Sequence, residues 1–343
     1  MLKQAEKEAI TMNKIGILTS GGDAPGMNPA IRAATRTALY KGLDVIGVKR
    51  GYTGLIEGDF MELDRSSVAD IIHRGGTMLR SARCERFKTE EGMKTALSKM
   101  KDVGMDGLIV IGGDGSLRGV EDINEILDFP AVGIPGTIDN DIACTDYTLG
   151  FDTAVNTVLD AINRIRDTAT SHERTFIIET MGRRAGFLTL EAGLAGGAES
   201  ILIPEIDFSI DKVSEKIKKG YQRGKLHSIV LVAEGVGEDF ETNRDFEQSK
   251  AFAIGQAITE RTDLETRVII LGHLQRGGRP TATDRVIGSK MGAKAVDLLL
   301  EGETNQMVSY CDSKITTSKI RDVLTSEKKV DKDMYDLAGI LSI

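Results

Sequence analysis

Four apolar residues run straight into glycines and an aspartate at Leu108-Ile-Val-Ile-Gly-Gly-Asp-Gly-Ser116, and a helix-like run, Arg118 to Leu127, follows at once. No other stretch narrows the available folds as much. A buried strand that opens through glycines onto a helix N-terminus is an α/β feature and a phosphate site. The bare backbone admits anionic oxygens, and the helix's free N–H groups and dipole favour negative charge. Asp114 repels a phosphate unless a cation lies between them. The stretch therefore reads as nucleotide phosphates plus Mg2+, with Asp114 on the metal. The alternative is a tight turn with a capping aspartate.

The same pattern appears earlier. Lys14 to Leu18 is a short apolar run, followed by Thr19-Ser-Gly-Gly-Asp-Ala-Pro-Gly-Met-Asn28 and a helical period from Ala30 to Tyr40. If the two strands are parallel neighbours, Gly21 and Gly22 lie beside the Asp114 loop, because ligands of open α/β sheets sit at the carboxyl ends of strands. Arg32 and Arg36 share a helix face, as a binding pair or as a solvated stripe. Asp44 to Val48 is a strand, Tyr52 and Gly54 turn the chain, and Val68 to Ile72 begins a helix that Arg74-Gly-Gly-Thr77 breaks. Arg83, in Ser81-Ala-Arg-Cys84, is a phosphate contact or a surface arginine. Glu90 to Lys101 is a surface helix. Ala131 to Ile134 is a strand that ends in Pro135-Gly-Thr-Ile-Asp-Asn-Asp141. Two carboxylates two residues apart in a strand-end loop suit metal and proton work; the alternative is a cluster of Asx turns.

From Asp152 to Arg166 the chain is an amphipathic helix. The βα rhythm then continues through strands at Thr175–Glu179, Ser200–Ile203, Ser228–Val232 and Arg267–Leu271 and helices at Ile210–Arg223, Lys250–Arg261 and Asp284–Leu300. Alternation of this kind implies parallel sheets covered by helices on both faces. No linker-like tract interrupts it, so a domain boundary falls inside the rhythm, near Gly150. Arginines recur near strand ends at Arg174, Arg183, Arg267 and Arg276. Their planar forks, read as lying at the carboxyl ends of successive strands, point to a second phosphate-bearing ligand. Glu234 is unusual for a core strand end and suits a sugar hydroxyl. Of the four histidines, only His273 shares a loop with one of these arginines.

Several classes are excluded. The chain lacks GxxxxGK[ST], the GxGxxG dinucleotide fingerprint, a GxSxG elbow and HExxH. A net charge of −8 over 343 residues argues against nucleic acid as a partner. Three cysteines without a CxxC pair fit a reducing cytoplasm and no zinc site. No apolar run reaches membrane-span length and no signal-peptide core is present. Residues 1–11 are polar and charged, and read as an extension or an early start codon, loosely helical or disordered.

Taken together and in order, Thr19 to Asn28, Gly112 to Ser116, Pro135 to Asp141, Met181-Gly-Arg183 and Gly272-His-Leu-Gln-Arg-Gly-Gly278 closely resemble the bacterial ATP-dependent phosphofructokinases, from about Lys14 to the C-terminus. The resemblance implies two three-layer αβα domains with mainly parallel sheets and the active site in the cleft between them. Residues 12–150 plus about 276–325 would bind ATP, and 151–275 plus about 326–343 would bind fructose 6-phosphate. Gly22, Arg83, Cys84, Gly113, Asp114, Gly115 and Ser116 match the family's ATP contacts, with Asp114 on Mg2+. Asp139 matches the general base for the sugar's C1 hydroxyl, in one loop with Thr137 and Asp141. Met181, Gly182, Arg183, Glu234, His273 and Arg276 match substrate contacts. Arg174 and Arg267 match arginines that reach into a neighbouring subunit's site. The family is a cytoplasmic homotetramer whose effector pocket binds ADP or phosphoenolpyruvate. Arg32, Arg36, Arg65, Asp70, Arg166, Gly197, Glu199, Arg223, Lys225 and His227 match that pocket.

Three features depart from the family. The connection from Gly235 to Leu264 is about a dozen residues long beyond the usual. Ser66 and Leu226 stand where relatives often carry an aromatic residue and a lysine. Residues 1–11 have no counterpart. Pyrophosphate-dependent relatives typically carry aspartate at the position of Gly115 and lysine at that of Gly136. Side chains there would fill the space of ATP's α-phosphate and adenosine, so the two glycines imply ATP as donor. The rival readings are a pyrophosphate-dependent enzyme, an NAD- or lipid-kinase-like enzyme, which has no use for the downstream arginine loops, and a non-catalytic nucleotide sensor, which has no use for Asp114, Asp139 and Asp141.

Overall fold

The computed structural model describes residues 12–237 and 249–342. The extension at 1–11 and the centre of the lengthened connection, including Arg244, lie outside the described residues. In chain order the elements are β1 (Lys14–Ser20), α1 (Met27–Tyr40), β2 (Asp44–Val48), α2 (Tyr52–Glu57), β3 (Phe60–Glu62), α3 (Glu90–Asp102), β4 (Gly107–Gly112), α4 (Asp114–Glu125) and β5 (Ala131–Pro135). They continue with α5 (Phe151–His172), β6 (Thr175–Thr180), α6 (Phe187–Ala195), β7 (Ser200–Leu202), α7 (Ile210–Gln222), β8 (Ser228–Ala233), α8 (Lys250–Thr262) and β9 (Thr266–Ile270). The last are α9 (Ala282–Leu300), β10 (Gln306–Cys311), β11 (Lys314–Lys319), α10 (Ile320–Thr325) and α11 (Lys332–Leu341).

Two compact units result. The first holds the described residues of Met1–Thr137 with Ile142–Gly150 and Arg279–Glu327; the second holds Ile138–Asp141, Phe151–Gly278 and Lys328–Ile343. Residues 138–141 thus belong to the second unit although the chain on both sides of them belongs to the first.

The first unit is built on a sheet ordered β11-β10-β5-β4-β1-β2-β3. Its inner pairs are parallel, and only the edge strands β3 and β11 run antiparallel. The apolar runs explain the layering. Leu108 and Val110 of β4 join one core with Tyr52, Met93, Leu117 and Val120 from α2, α3 and α4. Ile109 and Ile111 alternate to the other face and are equally buried. On that face Gly136 lies between Ile111 and Met27 of α1. Helix α9 packs against α1 so closely that a Cβ at Gly292 would lie 2.4 Å from the Ala30 carbonyl oxygen. Each large side chain buried this way stabilises the fold by roughly 1.5–3 kcal/mol before entropy is counted.

The second unit has a four-stranded parallel sheet, ordered β7-β8-β6-β9. Every residue of β6 and β8 is buried, as a parallel sheet covered on both faces requires. Ser209 caps α7 and Ser249 caps α8; the second cap also leans on the buried Glu179 carboxylate, which accepts from the Ser249 hydroxyl and, at 3.4 Å, from the Ala251 N–H.

Several expectations change. The turn expected at Tyr52 and Gly54 is the short helix α2, followed by β3. The helix expected from Val68 is a chain of turns over residues 65–70. Asp70 takes a left-handed backbone (φ 52°) inside the expected helix, and beyond it buried Asn28 ties the following segment, donating to the carbonyls of Arg74 (3.0 Å) and Gly75 (3.2 Å) and accepting from the Met78 N–H (2.8 Å). Helix α5 runs on to His172 rather than stopping at Arg166.

Candidate active site

The register of the first sheet aligns three loops. Ser20 is opposite Gly112, and Gly112 is opposite Pro135, so β1, β4 and β5 end level. Residues 21–26, 113–116 and 136–137 therefore emerge along one edge. Gly21 (φ +83°) brings its backbone to Ser116: a Cβ there would lie 3.5 Å from Oγ. Gly112 has no room for a side chain against Ser116 Oγ and the Ser20 carbonyl. Helix α4 starts at Asp114, with Gly113 accepting from the N–H groups of Ser116 (2.9 Å) and Leu117 (3.0 Å). Buried Tyr52 supports this turn from below. Its hydroxyl donates to the Ser116 carbonyl at 2.6 Å and its ring stacks on Phe87 at 4.2 Å. Burial pushes its phenol well above the usual range, so it stays a donor.

Gly115 differs from its neighbours. Its φ is not positive and a Cβ would meet nothing within 4 Å, so the fold itself does not demand glycine there. At Gly136 the Cβ direction is filled by Met27 (3.1 Å) and Ile111 (3.2 Å). Packing accounts for that glycine, and the steric case for a nucleotide donor rests on Gly115 alone. The 74–84 segment is tied to the same edge: Ser81 Oγ donates to the Gly21 carbonyl at 2.5 Å, and Thr19 Oγ1 to the Arg80 carbonyl at 2.9 Å. Exposed Arg83 and half-buried Cys84 follow directly. Asp114 keeps an exposed carboxylate, 3.2 Å from Arg118.

In the second unit, Asp139 is the chemically distinctive group. Its side chain is 3% exposed, and Arg183 Nε lies 3.8 Å away. Burial first, then the Asp141 charge, raises its pKa from 3.8 to about 6, against the opposing pull of Arg276 and Arg183. A carboxylate at that value is ionised at neutral pH yet basic enough to accept a proton from a hydroxyl. Arg183 sits in the left-handed region (φ 55°) on the turn Met181–Arg183. Glu234 stabilises that turn: its Oε1 accepts from the N–H groups of Gly182 (3.2 Å) and Arg183 (2.7 Å). His273 is exposed on the 3-10 turn Gly272–Arg276, which also carries Arg276.

The four arginines do not share one edge. Arg183 and Arg276 follow the carboxyl ends of β6 and β9. Arg174 precedes β6 and Arg267 is the second residue of β9, so both lie at the amino ends. They meet at Glu265, which binds Arg174 at 2.8 Å and also pairs with Arg267. The expected row of carboxyl-end arginines is therefore two pairs at opposite ends of the sheet.

The candidate effector residues divide between the units. In the first, Arg32 and Arg36 lie on α1, and Arg36 donates to the Arg65 carbonyl at 3.4 Å; Asp70 (φ 52°) closes the neighbouring turns. In the second, Arg166 donates to the carbonyls of Gly196 (2.5 Å) and Gly197 (3.3 Å). Lys225 pairs with buried Glu199, which also accepts from the Ile229 N–H. His227 contacts Thr170 at 3.2 Å; its pKa is lowered, chiefly by burial, with Glu199 opposing. Arg223 caps α7 and is exposed.

Comparison with known proteins decides the family: the phosphofructokinase profile matches residues 14–299. The chain belongs to the phosphofructokinase family. A relative from Halothermothrix orenii named ATP-dependent 6-phosphofructokinase is 69% identical over 332 residues, covering 97% of this chain and 100% of its own. A Bacillus subtilis relative of the same name is 53% identical with the same coverage. The solved phosphofructokinase from Saccharomyces cerevisiae superposes with a TM-score of 0.82 at 33% identity, covering 96% of this chain, which spans 46% of the yeast one. A pyrophosphate-dependent phosphofructokinase from Marinobacter aquaeolei, at 20% identity and a TM-score of 0.81, shows the fold alone.

Within this phosphofructokinase, Gln275 and Tyr52 escaped sequence reasoning. Gln275 is fully buried; its Oε1 accepts from the Met181 N–H at 3.2 Å and its Nε2 donates to the Gly272 carbonyl at 3.0 Å. It thereby locks the Arg183 turn to the Arg276 turn. An amide inside a glycine-rich loop carries no pattern that marks it. For Tyr52 the available signal was its place at the start of a short apolar run facing Gly119, where a Cβ would collide with its hydroxyl.

Proposed function

We propose that this phosphofructokinase transfers the γ-phosphoryl group of ATP to the C1 hydroxyl of fructose 6-phosphate, the sugar-phosphate kinase step of glycolysis. The observation that carries this reading is Asp139, a buried carboxylate raised to about 6 between acidic Asp141 and two arginines. It accepts the hydroxyl proton, for which general-base catalysis contributes roughly 10²–10⁴-fold. Gly22 and Gly113 to Ser116, with Arg83 and Cys84, hold ATP. Thr137, Asp141, Met181, Gly182, Arg183, Glu234, His273 and Arg276 orient the sugar phosphate, with Arg183 meeting charge that develops on the transferred group. Because Glu234 Oε1 is already held by two backbone N–H groups, its service to the sugar is partly indirect.

Mg2+ fits the first unit. Among the described residues no cluster of three or more His, Cys, Asp or Glu side chains forms a protein cage. Mg2+ usually takes one or two carboxylates plus phosphates and waters, which suits the lone exposed Asp114 beside the open face of Gly115. When bound it neutralises charge on the phosphates.

Arg174 and Arg267, at the far end of their strands from Arg183, serve a neighbouring copy's sugar-phosphate site within a homotetramer. Arg32, Arg36, Arg65, Asp70, Arg166, Gly197, Glu199, Arg223, Lys225 and His227 receive ADP or phosphoenolpyruvate. Residues 12–150 with about 276–325 form the ATP-binding domain and 151–275 with about 326–343 the sugar domain, to which the compact second unit adds the Asp139 loop, Ile138–Asp141. The enzyme works in the cytoplasm; no helix among the described residues is long and apolar enough to cross a membrane. A coupled assay for fructose 1,6-bisphosphate, with Mg2+ and either ATP or pyrophosphate, tests the reading. Turnover with ATP alone is expected. Turnover with pyrophosphate alone refutes the role given to Gly115, and none with either refutes the kinase reading.

A further inference from the structure

A cavity of about 400 Å3 opens in the second unit between the edge strand β7, the first two turns of α7 and the C-terminal helix α11. None of the residues proposed to hold ATP or the sugar phosphate lines it, and of the effector set only Glu199 does. Its size is that of a small-molecule site. Helix α11 makes the room: it presents Ala338 and Gly339 where large side chains would fill the space, and a Cβ at Gly339 would meet nothing within 4 Å. Tyr335 fixes the helix over the sheet edge by donating to the Ile201 carbonyl at 3.3 Å.

One wall is apolar, formed by Ile201, Leu202 and Val213. The other end is cationic. The N-terminal turn of α7 starts there at Ser209, and Lys212 and Lys216 stand one turn apart along it. Half-buried Lys216 donates to the neutral Ser342 hydroxyl at 2.5 Å, and burial pulls its ammonium below the usual lysine value, with the Glu199 charge opposing and that of Lys225 assisting. Of the acidic residues in the lining, Glu199 is engaged by Lys225 and the Ile229 N–H, and Asp207 lies exposed at the rim. Helix dipole and lysines therefore act together on whatever enters.

We propose that this cavity binds a small amphipathic carboxylate, its anionic head against Lys216 and the opening turn of α7, its apolar body against Ile201, Leu202 and Val213. The head offers Lys216 a charge-assisted contact in place of the neutral Ser342 hydroxyl, Glu199 being held by Lys225, and the body packs against a wall that the fold already largely buries. Glu199 also faces Lys225 and His227, so occupancy is felt at the neighbouring cluster. The inference is independent of the kinase reading.

Titration calorimetry of the full chain with 4-phenylbutyrate, saturated with ATP, tests it. One site per chain is expected, with the neutral analogue 4-phenylbutanamide binding about tenfold more weakly, the loss of one charge-assisted contact. In Lys216→Met the carboxylate should bind no better than the amide. In Ala338→Trp, which fills the cavity, neither should bind. No saturable binding, equal binding of acid and amide, displacement of the probe by ATP, or unchanged affinity in Lys216→Met each overturns the proposal. The half-exposed position of Lys216 keeps that variant informative should Ala338→Trp fail to fold.

Discussion

Replacing Asp139 with Asn separates what the carboxylate does for chemistry from what it does to the fold. Moving its pKa from 3.8 to about 6 is a shift of about two units, which at ~1.36 kcal/mol each makes the ionised group about 3 kcal/mol unfavourable to the native state. The native state binds this proton more tightly than the unfolded chain does. The penalty is therefore complete above pH 6, shrinks as pH falls toward 3.8, and is gone below. Asparagine is nearly isosteric and neutral at every pH. Asp139→Asn should thus be more stable than the parent by about 3 kcal/mol at pH 8, and the advantage should fade toward pH 4. The same variant should lose at least about 10²-fold in kcat, and the parent's kcat/KM should fall on the acid side with a midpoint near 6. The chain has no tryptophan, so urea unfolding without ligands is best followed by circular dichroism. A variant no more stable at pH 8, or a stability difference constant from pH 8 to 4.5, would refute the burial account of Asp139. Near-normal turnover would refute its role as base.

Three further substitutions probe other parts of the site. Gly115→Asp places a carboxylate in open space, so folding should survive while the ATP KM rises tenfold or more by about 1.4 kcal/mol of repulsion and the fructose 6-phosphate KM hardly moves; equal effects on both would count against the donor assignment. Arg267→Ala removes a charge-assisted phosphate contact of about 1.5–3 kcal/mol and should raise the sugar-phosphate KM about ten- to a hundredfold, leaving the ATP KM near normal; a change in ATP KM alone would contradict it. Gln275→Ala strands the Met181 N–H and the Gly272 carbonyl at a cost of about 1–3 kcal/mol; steady-state kinetics should show a raised fructose 6-phosphate KM, and unchanged kinetics would deny Gln275 its positioning role.

What could be read from the chain follows its local physics. β1, β4 and β5 are apolar runs that stop on glycine, and that contrast survives without tertiary information; their shared register then aligned the loops. Helix α6 stayed hidden because Phe187–Ala195 is apolar nearly all round and shows no periodic face. β11 stayed hidden for the opposite reason: Lys314–Lys319 is a mostly exposed edge strand whose partner makes it a strand. The helix expected at Val68 is interrupted inside its own span, where Asp70 takes a left-handed backbone (φ 52°) that a right-handed helix does not contain. Placing Arg174 and Arg267 at the amino ends needed strand limits good to one or two residues, finer than periodicity supplies. The charge shift of Asp139 was only partly legible: Asp141 stands two residues away in the chain, but the larger cause, burial, and the opposing arginines Arg276 and Arg183 come from tertiary structure and have no local signature.

The interleaving of the two units bears on how the chain is made. On the ribosome, β5 is complete once Pro135 emerges, but the strand that covers its outer side, β10, begins only at Gln306. Residues 136–305 must be translated first, which at roughly 5–20 residues per second takes on the order of 10–30 s. Throughout that interval the nascent first unit presents the backbone of a buried-type parallel strand as an open edge, the kind of surface on which neighbouring chains pair. Chain order thus makes the segment from β10 onward a safeguard for strands made long before it, and premature termination between β9 and β10 should yield aggregate rather than a trimmed kinase.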